Sequence, residues 1–292
     1  MIEQLATLVA GGDVVALSGA GMSTDSGIPD YRGPTGTQRR HPPMTYREFV
    51  SDHEARRRYW ARSQLGWRHV TRARPNPSHG ALATLERRGW VSGLITQNVD
   101  GLHPVAGSRN VVELHGNLAR TLCLDCGDAR PRQRLAERLD ALNPGFAPRP
   151  ARMAPDGDAD LHATAERTFV VAACTVCGGV LKPDVVFFGE RVPRARVERS
   201  FAMLEAASAL LVVGSSLTVM SGYRFVIRAR KRGTPVAIVN RGPTRGDADA
   251  VVRIDAGLAD VLPRLVDLLA DRAPTRAPAP PSSLEAVERS RS

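Results

Sequence analysis

Asp13-Val14-Val15-Ala16-Leu17-Ser18-Gly19-Ala20-Gly21 is the stretch that decides the fold. A short apolar run of strand length stops at two closely spaced glycines, the pattern of a buried strand feeding a tight turn. Three later runs repeat it. Val91–Thr96 leads into Gln97-Asn98-Val99-Asp100, Ala209–Val213 into Gly214-Ser215-Ser216, and Val236–Val239 into Asn240-Arg241-Gly242. Helical patterns lie between them, as over 198–207 and 222–232. Strands alternating with helices predict an α/β fold with a parallel sheet covered on both faces. Ligands of such sheets bind at the carboxyl ends of the strands, where the four polar turns would gather.

Two stretches interrupt the alternation. Residues 36–75 are rich in arginine and aromatic side chains, with Tyr46, Phe49, Tyr59, Trp60 and Trp67, and read as a helical insertion. Residues 119–180 hold all four cysteines. Together they are expected to form a smaller domain, leaving 1–35, 76–118 and 181–271 to the sheet domain. The tail over 272–292 is mostly Pro, Ala, Ser and Arg, too polar to bury a core, and is expected to be disordered.

Composition narrows the class. The 292 residues are 42% hydrophobic and 24% charged, which excludes collagen, coiled coil and wholesale disorder. No apolar run approaches the ~20 residues that span a bilayer. The start of the chain has no basic segment followed by a long apolar one, so the expected location is the cytoplasm. The net charge is +10, and every basic residue except Lys182 and Lys231 is arginine, a bias that reads as genome composition. The densest run is Arg56, Arg57, Arg58, Arg62, Arg68, Arg72 and Arg74. A solvated basic face is its default reading, ahead of nucleic acid or an acidic partner.

Cys123-Leu124-Asp125-Cys126-Gly127 and Cys174-Thr175-Val176-Cys177-Gly178 are two matching knuckles. Four thiolates suit tetrahedral zinc, and a closed four-cysteine site is structural because no position stays open for water. The rival is a redox dithiol, which usually needs a single C-x-x-C. The 47 residues between the pairs exceed the common ribbon spacing of about 15–20.

The turn Gly19-Ala20-Gly21-Met22-Ser23-Thr24-Asp25-Ser26-Gly27 fails as a strict G-x-G-x-x-G, because Thr24 stands where the third glycine belongs. Its two glycines still let backbone N–H groups approach a phosphate at a helix start; a plain tight turn is the equal alternative. The continuation Asp30-Tyr31-Arg32 puts an acid, an aromatic ring and a cation on one loop. His115 alone is more readily a packed or surface residue than a catalyst, and Asn98 and Asp100 are as readily turn formers as ligands.

Taken together these residues resemble the sirtuins, NAD-dependent protein-lysine deacylases. The resemblance lies in Gly19 to Thr24, Gly27 to Arg32, Thr96-Gln97-Asn98-Val99-Asp100-Gly101-Leu102-His103, Leu114-His115-Gly116, the two knuckles, Lys182 to Glu190, Gly214-Ser215-Ser216-Leu217 and Val239-Asn240. The order matches from about residue 3 to 268. Within the family the chain is most similar to the class II, mitochondrial-type branch, through Arg58-Tyr59-Trp60-Ala61-Arg62, Leu122-Cys123-Leu124-Asp125-Cys126-Gly127, Ala154-Pro155-Asp156-Gly157-Asp158, Ser221-Gly222-Tyr223-Arg224-Phe225, Gly242-Pro243-Thr244-Arg245 and the long insertion between the cysteine pairs.

The resemblance implies a Rossmann-like NAD domain, a smaller zinc-binding and helical domain, and an active site between them. It implies that Gly19, Ala20, Gly21 and Thr24 line the NAD phosphates, and that Asp30, Tyr31 and Arg32 lie on a loop closing over NAD. Gln97, Asn98, Val99 and Asp100 would hold the nicotinamide half; Gly214, Ser215, Ser216, Asn240, Arg241, Gly242 and Leu258 would hold the adenosine half. Val186, Phe187, Phe188 and Gly189 would present backbone to a substrate peptide added as a strand. His115 would be the general base. The implied partners are acylated-lysine proteins; no membrane is expected. NAD is a consumed co-substrate and one zinc is structural. Mono-ADP-ribosyl transfer and a weakly active NAD-sensing protein are the alternatives. If 58–62 is helical, Tyr59 and Arg62 share a face, and the pair resembles the Tyr-x-x-Arg by which another sirtuin branch holds acidic acyl chains; a long neutral acyl group is the second expectation.

Overall fold

The computed structural model describes residues 1–30, 43–146 and 166–274. Its strands are β1 Val14–Ser18, β2 Val91–Thr96, β3 Val111–Glu113, β4 Gly116–Cys123, β5 Ala129–Pro131, β6 Leu181–Val185, β7 Ala209–Val213, β8 Val236–Val239 and β9 Val252–Ile254. The larger sheet has the order β3-β2-β1-β7-β8-β9, and every pairing in it is parallel. Renumbered along its own strands, that is 3-2-1-4-5-6, the doubly wound Rossmann order. All five residues of β1 and all five of β7 are buried, as strands covered on both faces must be.

Side chains alternate between the two faces with the period of two that a strand imposes. Val14 and Ala16 of β1 pack with Leu5, Val9, Leu82, Leu85, Leu262 and Leu265, from the helices Ile2–Ala10, Pro77–Arg87 and Leu258–Leu268. Val15 and Leu17 face the other way, onto Leu204, Phe225 and Val226 from the helices Arg194–Ala206 and Met220–Arg232.

The smaller domain is built on the antiparallel sheet β5-β4-β6. Its core joins Phe49, Tyr59 and Trp60, from the helices Tyr46–Ser51 and His53–Val70, to Leu118, Leu135, Leu139, Phe169 and Phe187. The described part of the helical insertion and the cysteine module therefore share one core. Arg132, 1% exposed, is sandwiched between the Trp60 and Trp67 rings at 5.2 and 5.6 Å and bonds Gln64 at 2.9 Å.

The chain crosses between the sheets a few residues away from the expected boundaries of 118/119 and 180/181. β4 already begins at Gly116, which pairs with Val185, and the whole of β6 lies in the small sheet. Gly116 has φ +88°, and a Cβ there would lie 1.9 Å from the Asp184 carbonyl oxygen, so only glycine permits the crossing. Part of the basic run is paired: Arg57 with Glu54, Arg58 with Asp52 and Arg68 with Asp140 at the surface, and Arg62 with the buried Glu166. Among the described residues no helix is long and apolar enough to cross a membrane. The motif residues 154–158 and most of the tail, 275–292, lie outside the described residues.

Candidate active site and metal centre

The strand order reverses between β1 and β7, and there the turns after the two strands touch. The Gly21 N–H donates to the Gly214 carbonyl at 2.9 Å. A Cβ at Gly19 would lie 2.7 Å from Ser215 Cβ, and one at Gly21 would lie 3.0 Å from Gly214 Cα. The glycines thus first let one turn lie on the other. The expected helix start is replaced by two single 3₁₀ turns, Ala20–Met22 and Thr24–Ser26, with the Thr24 hydroxyl returned to the Gly21 carbonyl at 3.1 Å.

A polar network fills the floor beside these turns. The Asn98 amide donates to the Gly19 carbonyl at 3.0 Å and to the Ser23 hydroxyl at 3.1 Å; Ser23 in turn donates to Asp100 Oδ2 at 2.7 Å. Asp100 Oδ1 accepts the Leu102 N–H at 2.9 Å, and burial pushes its pKa upward. Gln97 Nε2 donates to the Ser215 hydroxyl at 2.8 Å, joining the β2 turn to the β7 turn. Val99 accepts the Leu118 N–H through its carbonyl at 2.8 Å. Beneath lie Ser18, Thr96 and His103, with Ser18 Oγ 2.8 Å from both Thr96 Oγ1 and His103 Nε2.

His115 leaves β3 just before the crossing glycine. Its Nδ1 lies 2.9 Å from the Gln97 carbonyl oxygen and its Nε2 lies 2.8 Å from Ser221 Oγ. A carbonyl only accepts, so Nδ1 carries the proton and Nε2 keeps its lone pair. Burial, and then the charges of Arg224 and Arg196, lower its pKa despite the opposing carbonyl bond. The site therefore favours neutral imidazole, the form that accepts a proton.

On the opposite arm of the crevice, Asn240 turns its amide onto the carbonyls of Arg241 and Gly242 at 2.9 and 3.0 Å. Leu258 is buried at the start of its helix, and its Cδ1 would lie 3.0 Å from a Cβ at Gly214. Ser216 bonds Thr218 at 3.0 Å. Asp30 ends a described segment; Tyr31 and Arg32 lie outside the described residues.

The loop after β6 adjoins His115. The Val186 N–H donates to the His115 carbonyl at 2.8 Å, and Phe187 N–H donates to Glu190 at 2.8 Å. Phe187 is buried, whereas Phe188 is 39% exposed and its carbonyl accepts from the Tyr46 N–H at 2.9 Å. Gly189 has φ +80°. Tyr59 and Arg62 do lie one helical turn apart. Tyr59 is 2% exposed and its ring meets those of Phe49 and Phe187, while Arg62 Nη1 is 3.8 Å from Glu166.

The cysteines converge. Their four sulfurs lie within 4.8 Å of one another, with Cys123–Cys177 at 3.5 Å and Cys126–Cys174 at 3.8 Å. A tetrahedron of Zn–S bonds of about 2.3 Å has sulfur–sulfur edges near ~3.8 Å, so the donor set fits zinc. These separations exceed a disulfide bond of about 2.05 Å, and all four cysteines are free. The knuckles match: the Gly127 N–H returns to the Cys123 carbonyl at 3.1 Å and the Gly178 N–H to the Cys174 carbonyl at 3.0 Å.

The family model described as "Sir2 family" matches residues 19–221. This chain belongs to the Sir2 family. It is 56% identical to NAD-dependent protein deacetylase 1 of Streptomyces coelicolor, over 92% of this chain and 90% of that one. It is 54% identical to an NAD-dependent protein deacetylase of Xanthomonas campestris, over 84% of each. Among solved structures, a Sir2 protein with a p53 peptide and NAD⁺ superposes with a TM-score of 0.74 at 28% identity, covering 91% of this chain and 98% of that one.

Four members of this Sir2 site escape motif reading: Ser18, Ser23, His103 and Ser221. Ser23, His103 and Ser221 lie inside quoted motifs, and Ser18 directly precedes one, yet nothing in their spacing tells which neighbour they bond. Gln97, Asn98 and Asp100 on the turn after β2, with Ser215 after β7, offer both donors and acceptors, a set that suits the hydroxyls and carboxamide of NAD.

Proposed function

We propose that the chain is an NAD-dependent protein-lysine deacylase, which releases nicotinamide and transfers the acyl group to ADP-ribose. The observation that carries this reading is His115: a neutral imidazole with Nδ1 on the Gln97 carbonyl and a basic Nε2, set between the polar turn of β2 and the loop after β6. When NAD is bound, departure of nicotinamide leaves electron demand at the ribose anomeric carbon, which the acyl-lysine carbonyl oxygen answers. Asn98 and Asp100, already tied together through Ser23, would hold the nicotinamide and its ribose. Gly19, Ala20, Gly21 and Thr24 would line the phosphates. Ser215, Ser216, Asn240, Arg241, Gly242 and Leu258 would hold the adenosine. Val186 to Gly189 would offer backbone to the peptide, with mild sequence demands. His115 Nε2 would take the proton of a ribose hydroxyl.

A panel of acyl-lysine peptides with NAD, read by mass spectrometry, tests this. Stoichiometric nicotinamide, free lysine and acyl-ADP-ribose are expected. ADP-ribosylated protein in place of deacylated peptide, or NAD binding without turnover, would replace the reading. The motifs at 58–62, 221–225 and 242–245 support placement in the class II branch. For the acyl group, the Tyr59-x-x-Arg62 spacing on one helix supports a chain longer than acetyl, while the Tyr59 ring itself is packed on Phe49 and Phe187. An acidic chain would have to compete with Glu166 for Arg62.

A further inference from the structure

We infer that Ser221 is the positioning residue of the base: its hydroxyl occupies the Nε2 side of His115 and, with the Gln97 carbonyl on Nδ1, clamps the imidazole plane at both nitrogens. This rests on the reading of His115 as the base. With the Nδ1 proton committed to a carbonyl 2.9 Å away, Nε2 is an acceptor, so the Ser221 hydroxyl, 2.8 Å off, is the donor. Ser221 is the second residue of the helix Met220–Arg232 and is 9% exposed. The helix starts without a side-chain cap at Val219, and among the described residues the Ser221 hydroxyl bonds His115 and no group of its own helix.

The close approach is built into the neighbouring residue. A Cβ at Gly222 would lie 2.4 Å from Gln97 Oε1. The Gln97 amide is itself held by Ser215 at 2.8 Å and by the Ser18 carbonyl at 3.3 Å, so it has little room to retreat. Glycine at 222 lets the helix start sit against the β2 turn and brings Ser221 within reach of the ring.

An imidazole nitrogen has one in-plane lone pair. A ribose hydroxyl that gives its proton to Nε2 must therefore take the place of the Ser221 hydroxyl. In that step the ribose O–H bond breaks and Nε2–H forms; Ser221 gains and loses no proton. The ribose oxygen keeps the electron pair and moves off Nε2 to attack the acyl carbon; the Ser221 hydroxyl then turns back, and its oxygen accepts from the new Nε2–H. One side chain thus keeps the base aligned before the transfer and supports the imidazolium after it.

The chemistry separates this from a structural role. Nicotinamide departure and capture precede the base, and their reversal exchanges labelled nicotinamide into NAD when acyl-peptide is present. Ser221→Ala should lower deacylation kcat about 5- to 30-fold, the scale of one hydrogen bond, with exchange and the KM for NAD within about twofold. Ser221→Thr, which restores the hydroxyl, should recover most of the turnover. Unchanged deacylation in Ser221→Ala, a parallel loss of exchange, or a Ser221→Thr no better than alanine would each overturn the inference. Wild-type protein with neither deacylation nor exchange would instead remove the deacylase reading on which it stands.

Discussion

The imidazole of His115 is buried enough to resist charging yet must accept a proton, and both facts make predictions. His115→Ala should cut deacylase turnover about 10²- to 10⁴-fold, the usual contribution of a general base. NAD binding, measured by calorimetry, should persist because the other donors come from different turns. Burial lowers the His115 pKa, so the base stays neutral to a lower pH than free histidine. The acid limb of kcat/KM should therefore lie below about 6.5; a limb above that value would mean that burial does not set the base. Arg62 makes a third claim. If it reads an acidic acyl group, Arg62→Met should lose kcat/KM selectively on glutaryl- and methylglutaryl-lysine peptides, with acetyl and lipoyl peptides spared. Equal loss on all four would return Arg62 to its pair with Glu166.

At the scale of elements, the glycine turns decide how closely strands can deliver their ends. Gly19→Ala would drive a Cβ to 2.8 Å from the Gly214 carbonyl oxygen, a backbone atom that cannot swing away. A loss of about 1–3 kcal/mol is expected from such overpacking, read as a lower Tm together with weaker NAD binding. The metal module behaves as an element too. Cys174→Ser should release zinc and loosen the small sheet, since metal binding there is part of folding; metal analysis checks it, with one zinc per chain expected of the wild type and less of the variant. Elements of this kind were legible to different degrees. β7 and β8 coincide with their apolar runs, because fully buried parallel strands read as unbroken hydrophobic stretches, and β2 coincides with its run although Ser92, Gly93 and Thr96 interrupt it. β3 and β9, three residues each and only partly buried, have no such run. The zinc ligands were readable because a spacing of two residues is itself the chemistry. Ser23 and Ser221 were not, because a hydroxyl bonds whatever the fold brings to it.

The whole molecule has a buried pair of histidines beneath the active site. His79 and His103 are 0% and 1% exposed, with ring centroids 4.8 Å apart. Burial lowers the His79 pKa to about 4 and that of His103 well below its ordinary value. Unfolding exposes both to water, where they bind protons near pH 6.5. As pH falls below that value the unfolded state takes up protons that the folded state refuses, so stability drops until the folded pKa is reached. Urea melts should show a loss of order 3 kcal/mol between pH 7 and pH 4 traceable to His79 alone, and His79→Gln should flatten that slope. An unchanged slope in the variant would place the acid sensitivity elsewhere.

The 3-2-1-4-5-6 order also has a consequence in time. β1 lies at the centre of the large sheet, but 95 residues separate the end of β3 from β7, the partner of β1 on one side. A ribosome adding about 5–20 residues per second needs roughly 5–20 s to deliver that partner. Throughout that interval the open edge of Val14–Ser18 is apolar and unpaired, and the chain emerging meanwhile is the segment that carries the cysteines. A chain cut short before Ala209 should therefore keep that edge open and be recovered as aggregate, because an unpaired apolar strand edge is a template for other chains.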